Sequence, residues 1–174
     1  HAARRVMSPP FRNKSHQDSL WAGLQSGSLS VVATAHCAFT TAQKRFGVGD
    51  FTKIPNGLPG VETRLALLHE LGVRDGRIGW ARLADLTSAA PARIFGLYPR
   101  KGCVTPGSDA DLVLFDPAAS WEIRPQALHM STDFSPYEGM RVTGRVRDVV
   151  LRGMVVIENG IRMEPPGGQY LRRS

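Results

Sequence analysis

Cysteine is scarce in this chain of 174 residues: only Cys37 and Cys103 are present. They stand far apart, one after a strand-like run and one in a turn-rich stretch. No disulfide framework is expected, and a reduced, cytoplasmic setting fits. Long apolar runs are missing too, and none approaches the roughly 18 residues of a membrane span. The opening residues HAARR do not resemble a secretory signal. They lack an initiator methionine, so the chain is expected to start inside a longer one. Aromatic residues make up only 7% and do not alternate with basic ones, which argues against a stacking platform for single-stranded nucleic acid. Basic residues exceed acidic ones, 22 against 15 for a net charge of +7. Yet the arginines (Arg4, Arg5, Arg12, Arg45, Arg64, Arg74, Arg77) are scattered, and no helix collects them on one face. Neither nucleic acid nor a membrane is an expected partner.

What is present suits a buried core, with 42% hydrophobic and 21% charged residues. Eighteen glycines and twelve prolines suggest many turns. Residues 5–8 read as a short strand that stops at Pro9-Pro10. Over 15–25 the positions Leu20, Trp21 and Leu24 recur at helical spacing, and Gly27 is a plausible stop. The run LSVVAT at 29–34 reads as a strand buried on both faces. Residues 35–60 hold no sustained period and read as a long loop, a length that is usually functional. An amphipathic helix follows over 61–71, with Val61, Leu65, Leu68 and Leu71 on one face and Gly72 closing it. A last helical stretch spans 80–95, interrupted at Pro91, where Ser88 would cap a new helix, and ended by Gly96.

Beyond about residue 98 the pattern turns to strands. Residues 111–115 form one, followed by a turn at Asp116-Pro117. Residues 146–151 and 154–158 form two more, joined tightly at Arg152-Gly153, and Asn159-Gly160 marks another hairpin turn. A boundary falls near residue 97, giving segments 1–97 and 98–165 and a tail over 166–174; the stretch from Pro165 to Ser174 is the one candidate for disorder. The first segment has the order of two units of an α/β barrel. A complete eight-unit barrel takes about 250 residues, so the segment is either a small open α/β layer or part of a larger barrel. Periodicity does not decide between them.

Single residues give weak signals. Ser8 before Pro-Pro and Asn56 before Gly57 both read as turn residues. His69 in a helix and His129 in a loop lack ligand spacing and read as ordinary histidines. The run GSDAD at 107–111 fails the calcium-loop spacing, and no nucleophile-elbow motif supports a serine triad.

Four stretches taken in order say more: VMSPP at 6–10, ATAHCAFT at 33–40, GDFTKIPNG at 49–57, and LYPRKG at 97–102 leading to GSDADLV at 107–113. With spacers such as QKRFG at 43–47, they resemble the dihydropyrimidinase and D-hydantoinase family of the amidohydrolase superfamily, from about Arg5 to about Arg162. The resemblance implies a (β/α)8 barrel with a β-sandwich built from both chain ends. Residues 1–97 would supply the last two strand–helix units, and 98–165 part of the sandwich. It implies hydrolysis of the ring amide of dihydropyrimidines or 5-substituted hydantoins to N-carbamoyl amino acids. It also implies two metal ions, commonly zinc, bridged by a carboxylated lysine, and tetrameric assembly. None of the family's histidine and lysine ligands matches a position in this chain.

Two positions match the family's substrate contacts. Ser8 matches the serine ending the seventh barrel strand, and Asn56 matches the asparagine of the Ile-Pro-Asn-Gly loop; both grip the ring amide mainly through backbone atoms. Ala35 departs from the family: active members carry there an aspartate that binds a metal and shuttles a proton, and alanine does neither. His36 could substitute as a ligand, but neighbours on a strand face opposite ways. Asp50 reads as structural. Ala-His-Cys also occurs in the non-catalytic collapsin response mediator proteins, whereas residues 51–57 and Ala38-Phe39 resemble bacterial hydantoinases. Two functions follow: part of a cyclic-amide hydrolase, inactive as this chain alone, or a non-catalytic assembly partner. Uncovered strand edges and apolar faces would make the isolated chain associate.

Overall fold

Four antiparallel strands in sequence order form the sheet of the computed structural model, which describes residues 2–164 and 167–173. They are β1 (Leu112–Glu122), β2 (Arg141–Leu151), β3 (Met154–Glu158) and β4 (Ile161–Arg162). The expected hairpins hold. Arg152 and Gly153 both have positive φ (48° and 80°), as do Asn159 and Gly160 (49° and 77°), which matches the twist of two-residue hairpin turns. Asp116-Pro117 is not a turn that ends the strand. β1 runs on past it, and its pairing with β2 is irregular between Asp116 and Ser120. The Asp116 carboxylate accepts from the amides of Ala118 and Ala119 at 2.8 and 3.2 Å. This local cap holds a bulge around the proline, and pairing then resumes. Of the expected tail, residues 167–173 carry no helix or strand; Pro165, Pro166 and Ser174 lie outside the described residues.

Helix α1 (Gln17–Ser26) ends at Gly27 with φ 88°, as its sequence requires. Leu24 is buried, whereas Leu20 is exposed. Helix α3 (Arg64–Leu68) does not stop at Gly72 but continues as a π-helical turn, His69–Arg74. Gly72 serves packing instead: a Cβ there would lie 3.0 Å from the Trp21 ring and 3.1 Å from Ile78. Val61 precedes the helix and is exposed; the wider turn shifts the phase after Leu68, and Leu71 points to solvent while Ala66, Leu67 and Leu68 are buried. The next helix also runs unbroken, as α4 (Trp80–Ala84), a π turn (Asp85–Ala89) and α5 (Ala90–Ile94). Ser88 makes no new cap. Pro91 lacks an N–H, and the widened turn before it absorbs that loss. Gly96, φ 67°, follows the helix end.

α3 joins two cores. Leu68 packs with Leu24, Ile78, Leu83 and Leu86, while Ala66 and Leu67 pack with Ile123 and Val142 of the sheet side. Polar contacts latch the same helix to β2. The buried His69 holds its Nδ1 2.6 Å from the Thr143 carbonyl, against the rings of Trp80 and Phe115. Glu70 accepts from the Thr143 amide at 2.5 Å and from Arg74 at 2.7 Å.

The two segments read as strands near the start have no ladder. Ala3–Arg5 is a 3-10 turn, and Val6 after it is extended. Residues 29–34 form no strand and are largely exposed. Among the described residues no strand lies beside them, so side chains take the carbonyls instead. Arg82 donates to Leu29 at 2.8 Å and Arg64 to Val32 at 3.0 Å. The span 35–60 is not loop throughout: α2 (Thr41–Arg45) forms within it, held by a capping box between Thr40 and Gln43. Asp50 caps a following turn, Phe51–Lys53, in the structural role expected of it.

Candidate functional site

Three chain segments meet around α2: the one ending at Ser8, the one passing Ala35, and the one carrying Asn56. The Val6 carbonyl accepts from the Gly57 amide at 3.3 Å, which places Ser8 and Asn56 on adjoining stretches. Both residues are exposed. Gly57 has φ 152°, and a Cβ there would fall 2.4 Å from the Cys37 carbonyl oxygen. Only glycine allows this approach. The Cys37 amide then donates to the Leu58 carbonyl at 3.1 Å, tying the second segment to the third.

His36 adds another tie. Its Nδ1 lies 3.1 Å from the Gly60 amide and 3.3 Å from the Val61 amide. Both partners are donors, so Nδ1 accepts and carries no proton, which puts the proton of the neutral ring on Nε2. Nδ1 is thus committed to backbone, and the proton on Nε2 disfavours His36 as a substitute metal ligand. Ala35, beside it, is left-handed with φ 44°, a conformation that asparagine and aspartate adopt more readily than alanine.

Sequence reasoning missed Lys44. In the sequence it is only one letter of the spacer QKRFG, yet its side chain is 0% exposed. Its ammonium donates to the Val6 carbonyl at 2.7 Å and to the Pro55 carbonyl at 2.5 Å. The charge also lies 5.4 Å from the centre of the Phe39 ring. Burial pushes its pKa below the ordinary lysine value, with the Cys37 thiol acting in the other direction. The Thr40-x-x-Gln43 signature could have revealed α2, but nothing local in the sequence distinguishes a buried lysine from an exposed one. The β1–β2 connection braces the helix from outside. The Asp133 carboxylate accepts from the Thr41 amide at 2.7 Å, and that bond pulls its pKa below the usual carboxylate range. The Thr132 hydroxyl donates to the Phe39 carbonyl at 3.0 Å.

The other histidines lie elsewhere. His69 belongs to the latch on β2, and His129 pairs with Glu62, its Nδ1 2.8 Å from a carboxylate oxygen. Among the described residues no group of three or more His, Cys, Asp or Glu side chains is placed to hold a metal ion. The groups beside Ala35 do not fit a zinc pair: its own methyl group ligates nothing, His36 Nδ1 is committed to backbone, and the Cys37 thiol is a single further ligand. No helix among the described residues is long and apolar enough to cross a membrane.

Laced loops at the ends of extended segments, each leading to a helix, suit the class of barrel hydrolases that work from loops on one face. The pattern of the amidohydrolase family matches residues 5–156, and the chain belongs to that family. Within it the likeness is to hydantoinases and dihydropyrimidinases. The D-hydantoinase of Streptomyces coelicolor is 51% identical over 156 residues, 89% of this chain and 33% of that protein. The D-hydantoinase structure from Bacillus sp. AR9 superposes with a TM-score of 0.96 at 44% identity, over 99% of this chain and 38% of that one. The dihydropyrimidinase structure from Brevibacillus agri gives 0.90 at 45% identity, over 92% and 35%. This chain spans about a third of the length of the curated relatives it matches.

Proposed function

We propose that the chain is the C-terminal third of a hydantoinase-type hydrolase that opens cyclic amides to N-carbamoyl amino acids. In this reading residues 1–97 are the last two strand–helix units of a barrel, 98–165 belong to a sandwich, and 166–174 form a tail. The complete enzyme would be a cytoplasmic homotetramer with two zinc ions. Backbone groups at Ser8 and Asn56 would bracket the ring amide, which fits the hydrogen bond between the segments that carry them.

These 174 residues are proposed to be inactive alone. Amide hydrolysis needs a group that takes a proton from the attacking water and returns it to the leaving nitrogen. The observation that supports this reading is Ala35: its methyl group stands beside the laced segments, at the position this reading gives to that group, and can do neither. The test is hydrolysis of dihydrouracil and of hydantoin with zinc added. No turnover is expected, and measurable turnover by this chain sinks the claim. A longer protein containing this chain offers a second check, since Ala35→Asp should raise its activity.

A second reading is a non-catalytic assembly partner. The observation in its favour is a strongly exposed apolar trio after α2: Phe46, Val48 and Phe51 at 79, 72 and 79%. Mixing the chain with an active homologue and looking for hetero-oligomers separates the two readings.

A further inference from the structure

Lys44 is costly to bury. A lysine removed from water is ordinarily paired with a carboxylate or left neutral. Among the described residues no carboxylate pairs with this one. Its recorded partners are two carbonyl oxygens, those of Val6 and Pro55, and the face of Phe39. Those carbonyls belong to different segments. Val6 lies two residues before Ser8, and Pro55 lies one residue before Asn56.

The surroundings fix where the ammonium can be. α2 is held at its start by the Thr40–Gln43 capping box and by Asp133. From this anchored helix the lysine reaches across to both segments at once. The Gly57 amide bonded to the Val6 carbonyl adds a direct link between them, but that bond alone leaves a hinge. A second donor on the same carbonyl, shared with Pro55, removes the freedom to pivot.

We propose that Lys44 is a positioning residue: it clasps the Val6 and Pro55 carbonyls and so sets the spacing of the backbone at Ser8 and Asn56. The inference rests on the reading of those two stretches as the grip on the ring amide. The clasp touches no substrate. It decides whether two backbone regions, far apart in sequence, stand at a constant separation.

The experiment is amide hydrogen exchange on the whole chain, in whatever state of association it adopts, for wild type, Lys44→Met and Lys44→Arg. Methionine keeps most of the unbranched stem and removes the donors; arginine keeps a cation able to donate to two oxygens. Lys44→Met should speed exchange at Arg5, Val6 and Gly57 together, by about tenfold to a hundredfold, as expected for losing hydrogen bonds from a charged group. Residues 141–158 should be unchanged, and Lys44→Arg should recover part of the protection. Exchange that rises in one segment only overturns the clasp. So does an equal rise across 141–158, which would make Lys44 an ordinary member of the core, or an arginine variant as fast as methionine. A separate arm adds hydantoin to wild type. Protection at 8 and 56–57 supports the substrate reading, and its absence counts against that reading while the variant comparison still decides the clasp.

Discussion

Residues 29–34 and 146–151 are both rich in valine and both read as strands, yet only the second run is one. Residues 146–151 lie within β2, which has β1 on one side and β3 on the other, and the partners come from neighbouring sequence through short turns. Residues 29–34 have no ladder, and the Leu29 and Val32 carbonyls are taken by Arg82 and Arg64. The difference teaches that β-branched sequence states a need for neighbours and does not supply them. A hairpin brings its own partner, whereas a strand of the kind found in parallel sheets depends on distant chain.

The sharpest way to break the comparison is to set the first run against the helical core on which its Val32 packs. Leu86, 0% exposed in that core, should cost about 2–5 kcal/mol when changed to alanine. Val31→Ala, in the exposed run, should stay within about 0.5 kcal/mol. Urea unfolding of both variants tests this, and similar losses would show that 29–34 is packed as firmly as the helices.

A smaller effect should come from the side-chain lock between α3 and the sheet. Gly144 sits at φ 109°, and a Cβ there would fall 2.4 Å from His69 Nδ1 and 2.5 Å from the Phe115 ring. Gly144→Ala should therefore cost about 1–3 kcal/mol through strain and overpacking. By contrast Gly49, also at positive φ but with open space around it, should lose less on the same change. Equal losses at the two glycines would mean that backbone strain alone decides and that the lock contributes nothing.

Acid should weaken the lock as well. Burial pushes the Glu70 carboxyl up, but the Thr143 amide and Arg74 outweigh it, and the net pKa is lowered. A lowered carboxylate pKa gives stability that is fully present above the ordinary glutamate value and lost as pH falls through the folded value. Wild type should exceed Glu70→Gln by about 1–2 kcal/mol at neutral pH, with the gap closing toward acid. A gap that stays constant with pH would remove the charge from the account.

What the sequence disclosed follows the range of the interaction behind it. Arg152-Gly153, Asn159-Gly160, Gly27 and Gly96 were legible because a turn or helix end is decided by a few adjacent residues. The stop read at Gly72 failed because that glycine answers to Trp21, fifty-one positions away. The π turns before Arg74 and Pro91 leave no pattern of their own. For the site, Ser8, Asn56 and Ala35 came from ordered motifs. Lys44 stayed hidden, since its burial is set by Val6 and Pro55, which reach it only in the folded chain.

The smallest effect concerns Ala35 and bears on which side chains its left-handed backbone accepts. A left-handed alanine costs about 1–2 kcal/mol, and here φ is 44°. Ala35→Gly removes that strain but adds about 0.5–1 kcal/mol of chain entropy to the unfolded state, so its gain should fall between zero and about 1.5 kcal/mol. Ala35→Asp adds no such entropy and tolerates the same backbone, so it should gain a few tenths of a kcal/mol. Thermal or urea unfolding of the three chains reads the order directly and needs neither metal nor turnover. If both variants gain, the backbone at 35 has a form that suits aspartate. If Ala35→Asp loses stability while Ala35→Gly gains, the space around the position is closed over the methyl group and leaves no room for a carboxylate.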